Sequence, residues 1–244
     1  MIVAAVLVAA GSGSRLGADV PKAFVEVNDQ PLLEYAVQRF LVHRAVRDVV
    51  VVVPAGWTEQ AENLLAELVK SFGRIESFLD EAGIARRESV RPPSVVTGGR
   101  TRQESVERGL AALSDDVDAV LVHDVARAFV PAAVIHRVVD ALEAGADAVV
   151  PTLPVADTLR SVGPDGLGPT VDRAGLVAVQ TPQGFRRPVL VAAHASASDD
   201  SATDDASLVE ATGVRVIAVP GASEAFKVTV PLDLELAQVV ADRV

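Results

Sequence analysis

The chain has 244 residues, 50% of them hydrophobic and 23% charged, enough to bury on the order of 70% of its unfolded surface and too apolar for a disordered chain. Its 22 basic and 33 acidic side chains leave a net charge of −11, which repels polyanions and argues against a nucleic-acid or anionic-membrane binder. The absence of cysteine excludes disulfides, thiolate zinc sites and cysteine nucleophiles, and fits a reducing, cytoplasmic setting.

The opening MIVAAVLVAA is uncharged, has no basic segment ahead of it and runs straight into Gly11 and Gly13. It is half the ~20 residues needed to cross a bilayer and lacks the features of a secretory signal, so residues 2–9 read as a buried strand. Residues 48–53, 94–97, 118–122, 147–150 and 214–219 are further Val-rich runs without alternation, the pattern of strands covered on both faces. Helical stripes separate them. Pro31 leads into Leu32, Leu33, Ala36, Val37 and Phe40, and Thr58 into Ala61, Leu64, Leu65, Leu68 and Val69. Thr101 and Glu104 have the spacing of a capping box, and Pro131 and Pro231 mark two more helix starts. Strands alternating with helices predict parallel βαβ units in one α/β sheet, with ligands beyond the carboxyl ends of the strands. No linker divides the chain, so residues 1–244 read as a single domain.

Two stretches break the rhythm. Residues 73–93 are polar and end in two prolines, which predicts a long, partly helical surface excursion. Residues 152–160 and 170–180 flank VGPDGLGP, whose Pro164-Asp165-Gly166 is a turn signal. They predict a hairpin, an arm at about 152–180 with little core of its own, whose apolar side must pack against something else.

The first strand ends in AAGSGSRLG, residues 9–17, followed by Pro21 and Lys22. Glycines in such a turn let backbone N–H groups approach phosphate oxygens. The dinucleotide fingerprint would need glycine where Leu16 stands and an acidic residue where Pro54 stands, which disfavours an NAD-dependent oxidoreductase. A P-loop would need Gly-Lys-Ser/Thr, whereas Lys22 lies between Pro21 and Ala23. What remains is a glycine turn carrying Arg15 and Lys22, suited to a nucleoside triphosphate; a plain strand-exit loop with surface cations is the bland alternative.

Asp124 follows the fourth buried strand in HDVARAF, with Arg127 one turn on. A carboxylate there can ligate Mg²⁺ or meet a substrate hydroxyl, and an arginine can hold phosphate; an ordinary surface ion pair fits the pattern equally. His123 reads as a buried structural imidazole, and His43, His136 and His194 show no metal-ligand or triad spacing. Gly98 and Gly99 precede the capped helix, so its N-terminus can face a base or ribose, with Ser105 one turn inside. SDDSATDDAS, residues 198–207, reads mostly as a solvated acidic loop, and Lys227 in FKVT as an exposed cation. Neither GxSxG nor HExxH occurs, so serine-elbow and zincin chemistry have no support.

The segments AAGSGSRLG with PKAF, GGRTRQESV with GL, HDVARAF, VADTLR, VDRAGLVAVQTPQGF, TDDAS and FKVT follow one another from residue 9 to residue 229. Together they resemble the 2-C-methyl-D-erythritol 4-phosphate cytidylyltransferases of the non-mevalonate isoprenoid pathway. The resemblance implies a Rossmann-like nucleotidyltransferase fold, a twisted and mostly parallel sheet flanked by helices, with a projecting β-arm that makes a homodimer. It implies transfer of a cytidylyl group from CTP to a polyol phosphate with Mg²⁺ mainly on the triphosphate and Asp124 near the ribose and the metal. By the same resemblance Arg15 and Lys22 are catalytic, and Ala9, Ala10, Gly11, Gly13, Gly98, Ser105 and Asp124 bind the nucleotide. Arg127, Thr181, Thr203 and Lys227 surround the acceptor, while Thr158 and Arg173 on the arm reach the partner's site. Val125, Ala128 and Phe226 depart from the family's usual residues, but none replaces a charge. A ribitol 5-phosphate cytidylyltransferase and a non-catalytic nucleotide-binding assembly subunit are the alternatives.

Overall fold

A computed structural model describes the chain except residues 12, 14, 15, 82–91, 198–201 and 244; for 73–81 it describes the backbone alone. The first Val-rich run forms β1 (Val3–Val8), and a 3₁₀ turn at Lys22–Phe24 precedes a small β2 (Glu26–Val27) and β3 (Gln30–Pro31) ribbon. Pro31 then caps α1 (Leu32–Leu41), its fixed φ directing the chain into the helix. Next come β4 (Val46–Val53), α2 (Thr58–Glu81), β5 (Ser94–Thr97), α3 (Arg102–Ala111), β6 (Ala119–Asp124) and α4 (Ala132–Glu143). The polar stretch from residue 73 continues α2 to Glu81; the expectation for 82–91 lies outside the described residues.

The second half is less regular. β7 (Ala148–Pro154) leads to β8 (Leu159–Gly163) and β9 (Gly166–Val171), then β10 (Val177–Val179), β11 (Gln183–Arg186), α5 (Arg187–Ser196), α6 (Asp205–Ala211), β12 (Val216–Pro220) and α7 (Pro231–Ala241). The main sheet runs β10-β7-β11-β6-β1-β4-β5, with β12 also on β7. The β1–β4, β1–β6, β4–β5 and β7–β12 pairs are parallel. β10 and β11 are antiparallel, so the sheet is mostly parallel, as the alternation predicts.

Period two explains the uninterrupted apolar strands. In β1, Val3, Ala5 and Leu7 pack toward Leu33, Phe40, Leu65 and Val138 from α1, α2 and α4. Ala4 and Val6 face Val106, Leu110 and Leu190 from α3 and α5. Both faces are covered, so apolar residues are required on each.

The two flanks of the predicted hairpin do pair with each other, but around a shorter turn. Gly163 pairs with Gly166 around Pro164-Asp165, and Leu159 with Val171. Residues 152–154 and 177–179 pair with each other at the edge of the main sheet. The positive φ of Gly166, 107°, lets the chain reverse within two residues, drawing VG and GLGP into the strands.

Candidate active site

Parallel strands β1 and β6 are in register, with Val8 beside Asp124, so the glycine turn and the HDVARAF segment leave the sheet side by side. Together with the N-terminus of α3 they enclose a cleft of about 450 Å³, lined by Ala10, Gly13, Lys22, Ser105, Asp124 and Lys227 among others. Gly13 has φ of 66°, and a Cβ there would meet the Lys22 Cβ at 2.8 Å. The glycine lets the turn fold directly onto the lysine.

At α3, the Thr101 side chain accepts from the Glu104 N–H, as a helix cap should. The Glu104 carboxylate accepts from Arg100 N rather than from Thr101 N, so the box closes one residue early. Ser105, 1% exposed, donates to Thr101 O and accepts from Gly99 N. A Cβ on Gly98 would come within 2.6 Å of Ala10 Cβ and 3.0 Å of Ser105 Oγ. Gly98 therefore seats the glycine turn against the helix N-terminus, whose N–H groups and positive dipole end suit an anion.

Lys227 is delivered by its neighbours. Val228 is fully buried and its N–H donates to Ala126 O, while the Phe226 ring stacks over Phe129. Held between these anchors, Lys227 Nζ donates to Asp124 Oδ2 at 2.7 Å. Arg102 Nε donates to Asp124 Oδ1 at 3.2 Å, and its Nη1 to Asp205 Oδ2 at 2.7 Å. Burial pushes the Asp124 carboxyl up, but Arg102 and Lys227 outweigh it and hold the group well below the usual carboxylate range.

Beneath this cluster His123 is fully buried. Arg127 O, 3.3 Å from Nε2, can only accept, which places the proton on Nε2 and leaves Nδ1 to accept from the Thr181 hydroxyl at 2.9 Å. The Thr181 Oγ1 in turn accepts from Asp124 N. Burial pushes the imidazole down to about 3, with the Asp124 charge opposing. His123 is a neutral strut, as its sequence context predicts.

The sequence profile described as 2-C-methyl-D-erythritol 4-phosphate cytidylyltransferase matches residues 3–243. The chain belongs to this family. A Streptomyces avermitilis protein of that name is 46% identical over 247 residues, covering 98% of this chain and 92% of its own. One from Nocardia farcinica is 46% identical, with 99% and 94% covered. The crystal structure of the Thermus thermophilus cytidylyltransferase matches with a TM-score of 0.74 and 37% identity, covering 100% of both chains.

Against the residues expected from the cytidylyltransferase motifs, Ala9, Ala10, Gly11, Gly13, Lys22, Ser105, Asp124 and Lys227 line this cleft. Gly98 stands just behind it. Arg15 lies outside the described residues. Thr181 is buried, its hydroxyl engaged by His123 and Asp124, so it does not face the cleft but braces Asp124 from beneath. Arg127 donates to Ala225 O and Val179 O, tying the segment before Lys227 to β10. Thr203 is exposed and does not line the cleft. Thr158 and Arg173 are exposed on the arm, the Arg173 guanidinium folding back on Val155 and Ala156 carbonyls.

One expectation is refined and one residue is added. The acidic run is not all solvated: Asp205 is fully buried between Arg102 and His194, and Asp204 caps α6 through Ser207 N. Arg102, which no sequence signal singled out, lines the cleft; the one available hint is its place at the first residue of a helix that begins at the glycine pair. Asp124, expected near a metal carried mainly by the CTP phosphates, is engaged by two cations. Among the described residues no group of three His, Cys, Asp or Glu can hold a metal ion.

Proposed function

We infer that the chain transfers a cytidylyl group from CTP to 2-C-methyl-D-erythritol 4-phosphate, releasing pyrophosphate, in isoprenoid precursor biosynthesis. The observation that carries the reading is the cleft in which the glycine turn, Lys22 and the α3 N-terminus face Asp124 and Lys227, in a chain whose relatives bear this name over nearly their whole length.

The acceptor phosphate is already ionised at neutral pH, so no strong base is needed. One of its oxygens forms a bond to the CTP α-phosphorus while the bond from that phosphorus to the β-phosphate bridging oxygen breaks. The protein's work is alignment and charge stabilisation. Glycine-turn N–H groups and the α3 N-terminus hold the triphosphate, Lys22 stabilises charge growing on the α-phosphate and leaving pyrophosphate, and Lys227 meets the acceptor phosphate. Arg15 joins Lys22 by the family motif. Mg²⁺ enters as part of the metal–CTP substrate, not as a resident ion.

The homodimer belongs to the same proposal. Supporting it, the arm exposes Val162 at 80% and Leu167 at 64%, more apolar surface than a two-stranded hairpin keeps in water without a partner. Thr158 and Arg173 on that arm then complete the partner's acceptor pocket. Among the described residues no helix is long and apolar enough to cross a membrane, and a cytoplasmic location is part of the proposal. Pyrophosphate release that requires CTP, Mg²⁺ and the methylerythritol phosphate together tests the reaction; release without the acceptor, or none with it, overturns it.

A further inference from the structure

Asp124 serves two cations of different character. Lys227 approaches from a side chain 41% exposed, a flexible point charge that can exchange partners. Arg102 is 28% exposed and fixed at both ends. Its Nη1 is bonded to the fully buried Asp205, whose other oxygen lies 3.0 Å from His194 Nε2. Asp205 opens α6, and Gln183 Oε1 accepts from the next backbone N–H, that of Ala206, at 3.0 Å. The Arg102 anchor is therefore built into the fold.

A phosphate entering the cleft competes with Asp124 for Lys227. If Lys227 were the carboxylate's main support, its departure would leave a largely buried charge uncompensated, which is costly.

We propose that Arg102 is a positioning residue that retains the Asp124 carboxylate, so that Lys227 can leave it for the acceptor phosphate. The inference rests on the cytidylyl-transfer reading. It gives the TDDAS segment a specific role, since Asp205 fixes the arginine that lets the lysine move. Without Arg102, Asp124 holds Lys227 more tightly and the acceptor phosphate must displace it. The penalty therefore falls mainly on acceptor binding, because the triphosphate is held by the glycine turn, Lys22 and the backbone N–H groups of the α3 N-terminus, none of which requires the Arg102 side chain.

Steady-state kinetics on the full chain, with each substrate varied in turn, test this. Arg102→Met is expected to raise KM for methylerythritol phosphate about tenfold or more, and KM for CTP by less than about threefold. Arg102→Lys keeps the charge but not the two-ended fork, and is expected to give an intermediate acceptor KM. An arginine that only braces the fold would lower melting temperature and kcat with the acceptor KM unchanged, and that result overturns the proposal. Should Arg102→Met fail to fold, Arg102→Lys decides: a wild-type acceptor KM there overturns it equally. Failure of the underlying reading is distinguishable, because the unmodified chain would then show no transfer at all.

Discussion

Lys227 and Asp124, 103 residues apart in sequence, meet at 2.7 Å between Nζ and Oδ2 at the mouth of the cleft. Lys227 is 41% exposed and Arg102 still compensates the largely buried Asp124 when the lysine leaves, so this pair adds little to stability, about 1 kcal/mol or less. Its value lies in aiming the ammonium. Lys227→Met is therefore expected to lower kcat/KM by about 2 to 3 kcal/mol while unfolding free energy falls by no more than about 1 kcal/mol. Parallel kinetics and urea denaturation check this, and a stability loss as large as the activity loss would contradict it.

Lys22 lines the same cleft, packed against the glycine turn at Gly13. Lys22→Ala should cost about 3 kcal/mol of barrier, by analogy with the loss of one preorganised charge-stabilising donor. Arg15→Ala should behave alike. A drop in kcat of less than about threefold for either would remove that residue from the catalytic role.

The arm residues Thr158 and Arg173 stand away from the cleft of their own chain. If they complete the partner's site, an inactive Lys22→Ala chain mixed with an inactive Arg173→Ala chain should recover partial activity, because heterodimers contain one site with both residues intact. Heterodimers that demonstrably form and remain inactive would refute the shared site.

Buried His123 makes stability depend on pH. Its folded-state value of about 3 lies below the unfolded value of about 6.5, so between them the unfolded chain binds the extra proton. Its contribution is complete above about pH 6.5 and shrinks as pH falls toward about 3, by up to about 1.4 kcal/mol per pH unit. Between about pH 7 and about pH 5, His123→Gln should show a loss of unfolding free energy smaller by about 2 kcal/mol than the wild-type loss. Identical pH slopes in urea titrations of the two proteins would contradict a neutral, buried imidazole.

The α/β alternation was legible because each buried strand and amphipathic helix writes its own period locally. The same is true of Gly13 beside Lys22, where a short sequence spacing becomes a contact. Asp205 was not legible: its neighbours in SDDSATDDAS read as solvated, and the partner that compensates its buried charge is Arg102, 103 residues away. β11 was missed for a related reason. QGFR is four residues long, carries no periodic signal, and becomes a central strand by antiparallel pairing with β6 and β7. Local chemistry announces elements and glycine turns, while long-range ion pairs and inserted strands depend on topology.

The divalent cation of the proposed reaction travels with CTP rather than residing on the protein. With both Asp124 oxygens engaged by cations, EDTA is expected to abolish turnover without changing the melting temperature of the CTP-free protein. A melting temperature that falls on chelation would reveal a resident metal.

Cytidylyl transfer itself is put to its most direct test by pyrophosphate release with each of the four nucleoside triphosphates against two acceptors, 2-C-methyl-D-erythritol 4-phosphate and ribitol 5-phosphate. Release with CTP and methylerythritol phosphate, at a kcat/KM well above every other combination, is the predicted result. No release with either acceptor would contradict the enzyme assignment, and a preference for ribitol 5-phosphate would contradict the acceptor.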